Sequence, residues 1–319
     1  MALTGLVLHE DCSLHDTGWR HPEHQGRLPA IVHALYKETP ALQDLVLQRE
    51  GVPVSESELL RVHASAHVER LKQANARAEA DNQIVALDHE TLMSPPSWRA
   101  LLAAAGCVIT TCEAVLNGEA QNGFALARPP GHHATASVPM GFCLINNVAI
   151  AARWLIARGM ERVLIIDWDV HHGNGTQDIF YADPAVYYLS LHQSPWYPGT
   201  GHQVERGGDG AHGTNRNVPL LAGTTGAEFV AVFKRELAAT LFEFTPDFVL
   251  VSAGFDCLHG DPLGQLLVEP ADLHTITSHL MSVLPHGRIV HTLEGGYNPP
   301  LTGAGVVAVV RALAGLPPG

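Results

Sequence analysis

The stretch Val163-Leu164-Ile165-Ile166-Asp167-Trp168-Asp169-Val170-His171-His172-Gly173-Asn174-Gly175 constrains this chain most. Four apolar residues run directly into two carboxylates, two imidazoles and a Gly-Asn-Gly turn. A short apolar run closed by turn residues reads as a strand buried on both faces, as in parallel sheets. Alternation along that strand puts Asp167, Asp169 and His171 on one face at its carboxyl end. Open α/β sheets carry their sites at that end. An imidazole with one or two carboxylates there makes a partial Zn(II) site, because two buried carboxylates without a counter-charge are costly.

The rest of the chain alternates in the same way. Residues 3–9, 123–126, 186–192, 217–220, 248–253 and 288–293 read as strands. Residues 28–37, 65–80, 98–116, 147–158, 225–244, 270–284 and 303–313 have helical spacing. This alternation predicts an α/β fold, a doubly wound and mostly parallel sheet flanked by helices. No linker, charge block or repeat divides residues 1–319, so one domain is expected.

Polar clusters follow the strands and should gather on one edge of the sheet. His132 and His133 sit on a loop stiffened by Pro129 and Pro130. They suit either an acid–base pair or a structural pair. Asp261 lies on a loop just past a strand end, where a third metal ligand could come from. Gly295 and Gly296 give the backbone freedom to place Tyr297 in a site. Residues 15–27 and 87–96 read as loops, and His21-Pro22-Glu23 as either a pocket rim or solvated chain.

Charge narrows the partners. A net charge of −13 disfavours non-specific binding to nucleic acid or an anionic membrane. It suits a cationic ligand such as a lysine side chain or a polyamine. Five cysteines with no CxxC argue against a disulfide framework and for a reducing, cytoplasmic setting. The amino-terminal stretch has neither a basic segment nor a long apolar run, so no signal peptide or membrane span is expected. Assembly, including a homo-oligomer, stays open.

Six motifs in order are specific enough to carry a resemblance: RPPGHHA at 128–134, GFC at 141–143, DWDVHHGNGT at 167–176, SLH with YPGTG within 190–201, GFD and GDPLG within 254–264, and EGGY at 294–297. Together they resemble the histone deacetylase superfamily, with its arginase–deacetylase fold. In detail they resemble class II enzymes and bacterial amidohydrolase relatives, since Asn174 stands where class I proteins carry aspartate.

The resemblance implies a zinc-dependent amidohydrolase that removes acetyl or other acyl groups from lysine side chains of proteins or peptides. One Zn(II) per chain would be held by Asp169, His171 and Asp261. His133 would act as the base, with His132 set against Asp167 and Tyr297 donating to the oxyanion. Asn174 beside His133 would not raise its pKa as a carboxylate does. Gly141, Phe142 and Tyr197 would line the acyl-lysine tunnel, with the two rings as walls. A monovalent cation, K+ or Na+, would lie at Asp167, Asp169, His171, Ser190 and Leu191, with a second group at Phe180, Asp183 and Val186.

Three rivals share this fold or site. A two-manganese ureohydrolase would want further carboxylates around a second metal. A non-catalytic acyl-lysine-binding protein would be expected to have lost a ligand, a dyad histidine or the tyrosine, and none is missing. An acetylpolyamine deacetylase is the third. Polyamine-selective relatives place a glutamate or a constricted mouth near the tunnel, whereas Leu263 follows Gly-Asp-Pro here. The mouth is therefore expected to be apolar, without a fixed anion, which favours acyl-lysine.

Overall fold

A computed structural model describes residues 3–284 and 287–319; the first two residues of the amino-terminal stretch lie outside the described residues. Eight strands form one sheet: β1 (Thr4–Leu8), β2 (Val46–Glu50), β5 (Asn122–Ala125), β6 (Val163–Asp167), β7 (Val186–Gln193), β8 (Asn215–Leu220), β9 (Phe248–Ala253) and β10 (Ile289–Leu293). Their order is β2-β1-β5-β10-β9-β6-β7-β8, and every pairing is parallel. A two-stranded ribbon, β3 (Val85–Ala86) with β4 (Leu92–Met93), lies apart from it.

The helices are α1 (Arg27–Lys37), α2 (Thr39–Leu42), α3 (Glu56–Leu59), α4 (Ser65–Asp81), α5 (Ser97–Leu116), α6 (Asn147–Ala157), α7 (Asn174–Phe180), α8 (Gly226–Glu243), α9 (Pro270–Val283) and α10 (Pro299–Leu313). α5 has the length and apolarity to cross a bilayer, yet most of it is buried as a core helix. α8 starts at a capping box in which Thr225 and Glu228 each accept from the other's backbone N–H. α10 starts at Pro299, ahead of its expected start at Gly303, because proline fits the first helical turn, where no N–H is needed.

The central strands β6, β9 and β10 are buried along their whole length, as near-continuous apolar runs in a two-faced sheet must be. β2 is the exception to the pattern reading. It lies at the sheet edge and every one of its residues is at least partly exposed, so Val46-Leu47-Gln48-Arg49-Glu50 carries no apolar run to find. The ribbon strand β4 also falls inside the segment expected to be loop.

One expectation needs correction. β6 ends at Asp167, so Asp169 and His171 lie beyond the strand and not along its face. Side chains take over the hydrogen bonding there. Asp167 Oδ1 accepts from the Asp169 N–H at 3.1 Å, and Asp256 Oδ1 accepts from the Val170 N–H at 2.9 Å. The cluster forms by this folded-back turn.

Candidate active site

The strand order explains why the polar loops meet. β5, β10, β9 and β6 are consecutive neighbours in the sheet. The loops leaving their carboxyl ends carry His132 and His133, Tyr297, Asp256 and Asp261, and Asp169 and His171 respectively. Sequence-distant residues are brought together at one end of the sheet, where open α/β folds bind ligands.

Asp169, His171 and Asp256 can offer ligand atoms that all lie within 4.8 Å of one another. His171 Nδ1 sits 3.0 Å from Asp169 Oδ1 and 3.1 Å from Asp256 Oδ2. Asp261, the third ligand expected from the sequence, is outside this trio. Its Oδ2 accepts from the Tyr297 N–H at 2.6 Å and its Oδ1 from the Leu263 N–H at 2.9 Å. It also adds negative charge beside Asp256. Asp256 was not singled out from the sequence, although it ends the Gly254-Phe255-Asp256 motif.

Among the described residues, no lysine or arginine forms an ion pair with Asp169, Asp256 or Asp261. Burial, then the charge of Asp169, pushes the Asp256 carboxyl up to about 7. Oxygen and imidazole donors with surplus negative charge in a dry site fit a divalent cation. Asp167 is fully buried and accepts from the Tyr188 hydroxyl at 2.9 Å. Asp167 pairs in register with Ser190, and Leu191 follows on the same buried strand. Of the residues expected to form a second cation group, Asp183 is ion-paired with Arg153, whose guanidinium lies 4.8 Å from the Phe180 ring centroid.

The two histidines have different surroundings. His132 Nδ1 lies 3.0 Å from Asp167 Oδ2. Burial would lower its pKa, but Asp169 and Asp167 outweigh burial and raise it to about 10. His133 Nδ1 lies 2.9 Å from Asn174 Oδ1. Burial, then His132 and His171, holds His133 well below the ordinary histidine value. At neutral pH, His132 is cationic and His133 neutral. Gly141 is required here, because a Cβ would collide with the His133 ring. It adopts φ +56° and Phe142 φ +67°, which turns the chain sharply beside the His133 ring.

A cavity of about 350 Å³ opens above these groups. His133, His171 and Tyr297 line its buried end; Phe142, Tyr197, Trp196 and Leu263 line its sides and mouth. The Tyr197 ring stands edge-on to His133 at 5.3 Å, and the Phe142 ring edge-on to Tyr297 at 5.5 Å. Burial raises the Tyr297 hydroxyl well above the usual tyrosine range, so it remains a proton donor.

Three features were not legible in the sequence. Glu90 also lines the cavity, and burial, then the neighbouring Glu90 carboxylate, pushes the Tyr197 hydroxyl up, so the mouth does hold a fixed anion, contrary to expectation. His21 and Pro22 line the rim, one of the two readings the sequence left open, but Glu23 beside them is instead buried in ion pairs with Arg27 and Arg128. Arg27 donates to the carbonyls of Glu294 at 2.6 Å and Gly296 at 2.7 Å, and its guanidinium lies 5.0 Å from the Tyr297 ring centroid. Arg27 therefore braces the strap that carries Tyr297.

The sequence profile of the histone deacetylase domain matches residues 21–313. The chain belongs to the histone deacetylase family. A probable deacetylase of Archaeoglobus fulgidus is 35% identical over 97% of this chain and 86% of its own length. Histone deacetylase clr3 of Schizosaccharomyces pombe is 38% identical over 94% of this chain, which spans 46% of that longer protein. The crystal structure of the HDA15 HD domain superposes with a TM-score of 0.93 at 37% identity, covering 99% of this chain and 89% of that one. Such a match over nearly the whole length shows that this histone deacetylase family chain has the arginase–deacetylase fold.

Proposed function

We propose that this deacetylase-family chain is a zinc-dependent amidohydrolase that removes acetyl groups from lysine side chains of peptides or proteins. The supporting observation is that one aromatic-walled pocket brings together His171 of a cluster able to hold a metal ion, a neutral histidine and a protonated tyrosine. We assign the zinc to Asp169, His171 and Asp261. Asp256, whose Oδ2 lies 3.1 Å from His171 Nδ1, would orient that histidine. When bound, zinc supplies a Lewis acid for the amide carbonyl and lowers the pKa of water to roughly 7.

The side chains do the rest. Asn174 Oδ1 accepts from His133 Nδ1–H, which leaves Nε2 bare to take a proton from water as the oxygen attacks the carbonyl carbon. The Tyr297 hydroxyl donates to the carbonyl oxygen as negative charge develops on it. His133 then passes its proton to the leaving nitrogen, the C–N bond breaks, and acetate and a free amine depart. His132, held cationic against Asp167, stabilises negative charge nearby without exchanging its own proton. Phe142 and Tyr197 pack the lysine methylenes. We assign K+ or Na+ to the Asp167–Ser190–Leu191 region. Five buried free thiols suit a reducing, cytoplasmic setting.

Glu90 favours a second reading, an acetylpolyamine substrate whose distal ammonium meets the mouth carboxylate. The test is kcat/KM of the zinc-loaded protein on an acetyl-lysine peptide against N-acetylputrescine. Preference for the peptide supports the first reading; preference for the acetylpolyamine replaces it with the second.

A further inference from the structure

Glu294 is fully buried just past β10, three residues before Tyr297. Its side chain crosses to the loop of the histidine pair. One oxygen, Oε2, accepts from the Gly131 N–H at 2.7 Å and the His132 N–H at 3.2 Å. The other, Oε1, accepts from the Ser252 hydroxyl at 2.9 Å. Its backbone is also fixed, with its N–H donating to the Ala253 carbonyl at 3.0 Å and its carbonyl accepting from Arg27.

The His132 peptide is thereby held from both sides. Glu294 takes its N–H, and its carbonyl accepts from the Thr176 N–H at 3.1 Å. Gly131 is confined as well, since a Cβ there would lie 2.5 Å from the Asn147 nitrogen. The buried N–H groups of Gly131 and His132 need partners, because each left bare costs about 1–3 kcal/mol. Without those partners, the turn that presents both histidine rings would relieve that cost by shifting.

We propose that Glu294 is a positioning residue whose carboxylate spans from the tyrosine strap to the Gly131–His132 turn and fixes the histidine pair relative to Tyr297. It acts through two backbone N–H groups and touches neither substrate nor the reacting atoms. The catalytic consequence rests on the reading of His133 as the base.

Two variants separate reach from charge. Glu294→Gln keeps the side-chain length and an acceptor oxygen for both N–H groups, and its amide can donate to Ser252. Glu294→Asp keeps the charge but is shorter by about 1.5 Å. Misplacing catalytic groups by about 1 Å can cost on the order of a hundredfold. Glu294→Asp should therefore lose on the order of tenfold to a hundredfold in kcat with KM unchanged, and Glu294→Gln should stay within about threefold of wild type. Ser252→Ala, which removes only the third bond, should lower the melting temperature but keep kcat.

Amide hydrogen exchange at Gly131 and His132 gives a readout independent of turnover. Both amides should be protected in wild type and Glu294→Gln and exposed in Glu294→Asp. If wild type fails to hydrolyse acetyl-lysine peptide, the functional reading fails, and the exchange pattern alone decides the positioning role. Equal protection and kcat in the two variants, or a loss confined to Glu294→Gln, overturns the proposal.

Discussion

His133 Nδ1 lies 2.9 Å from Asn174 Oδ1, so the proposed base is paired with a neutral amide and not with a carboxylate. Asn174→Asp should change that. A carboxylate favours imidazolium, so His133 would lose its basic form at a higher pH. The acidic limb of kcat/KM should move up by about one unit or more. An unchanged pH profile in Asn174→Asp would separate this pair from the rate-determining proton transfer.

Tyr297→Phe keeps the ring that packs against Phe142 and removes only the hydroxyl. Loss of one oxyanion donor typically costs roughly 10²–10³ in kcat. A loss of that order is expected, with the melting temperature and bound metal unchanged. A change below about threefold would show that Tyr297 is not the donor.

Glu90 gives the mouth its fixed charge. Glu90→Gln should lower kcat/KM about twofold to fivefold for substrates with a second cation beside the acetylated amine, the range of an exposed ion pair. Neutral peptides should be unaffected, and added salt should shrink the difference. Leu263→Glu, which adds a second carboxylate to the same rim, should shift preference further toward acetylpolyamines. Identical kinetics on charged and neutral substrates in Glu90→Gln would show that the carboxylate does not meet substrate.

Acid should destabilise the fold through buried histidines that are not members of the metal cluster. Burial, then Arg128, lowers His15 to about 3; burial, then His67, lowers His63 to about 3; burial lowers His291 to about 3. Unfolded histidine titrates near 6.5, so between these values the unfolded chain binds more protons. The contribution of these three histidines to stability is therefore full above about pH 6.5 and falls as pH drops toward 3. His291 packs beside Phe124 and Trp168. His291→Leu should lose less stability than wild type between pH 7 and about 5, as read by urea unfolding at each pH. Parallel stability curves for the two proteins would contradict this.

The parts of the fold legible in the sequence are those fixed by local pattern. Val163 to Ile166 announces β6 because a two-faced buried strand must be apolar throughout. β2 does not, because an edge strand can remain polar. Asp169 and His171 were grouped correctly, although the reason is a turn held by Asp167 and Asp256 and not strand alternation. The roles of Arg27, Glu90 and Glu294 depend on contacts between distant segments, such as Arg27 with Gly296, and no local spacing encodes them.

The central claim is most directly tested by stripping the protein of metal and titrating Zn(II) back while following both bound zinc and acetyl-lysine peptide hydrolysis. The account predicts no turnover in the stripped protein, recovery that rises linearly and ends at one equivalent per chain, and loss of both zinc and turnover in Asp261→Ala. Full hydrolysis by the stripped protein, or an Asp261→Ala variant with full zinc and normal turnover, would contradict it.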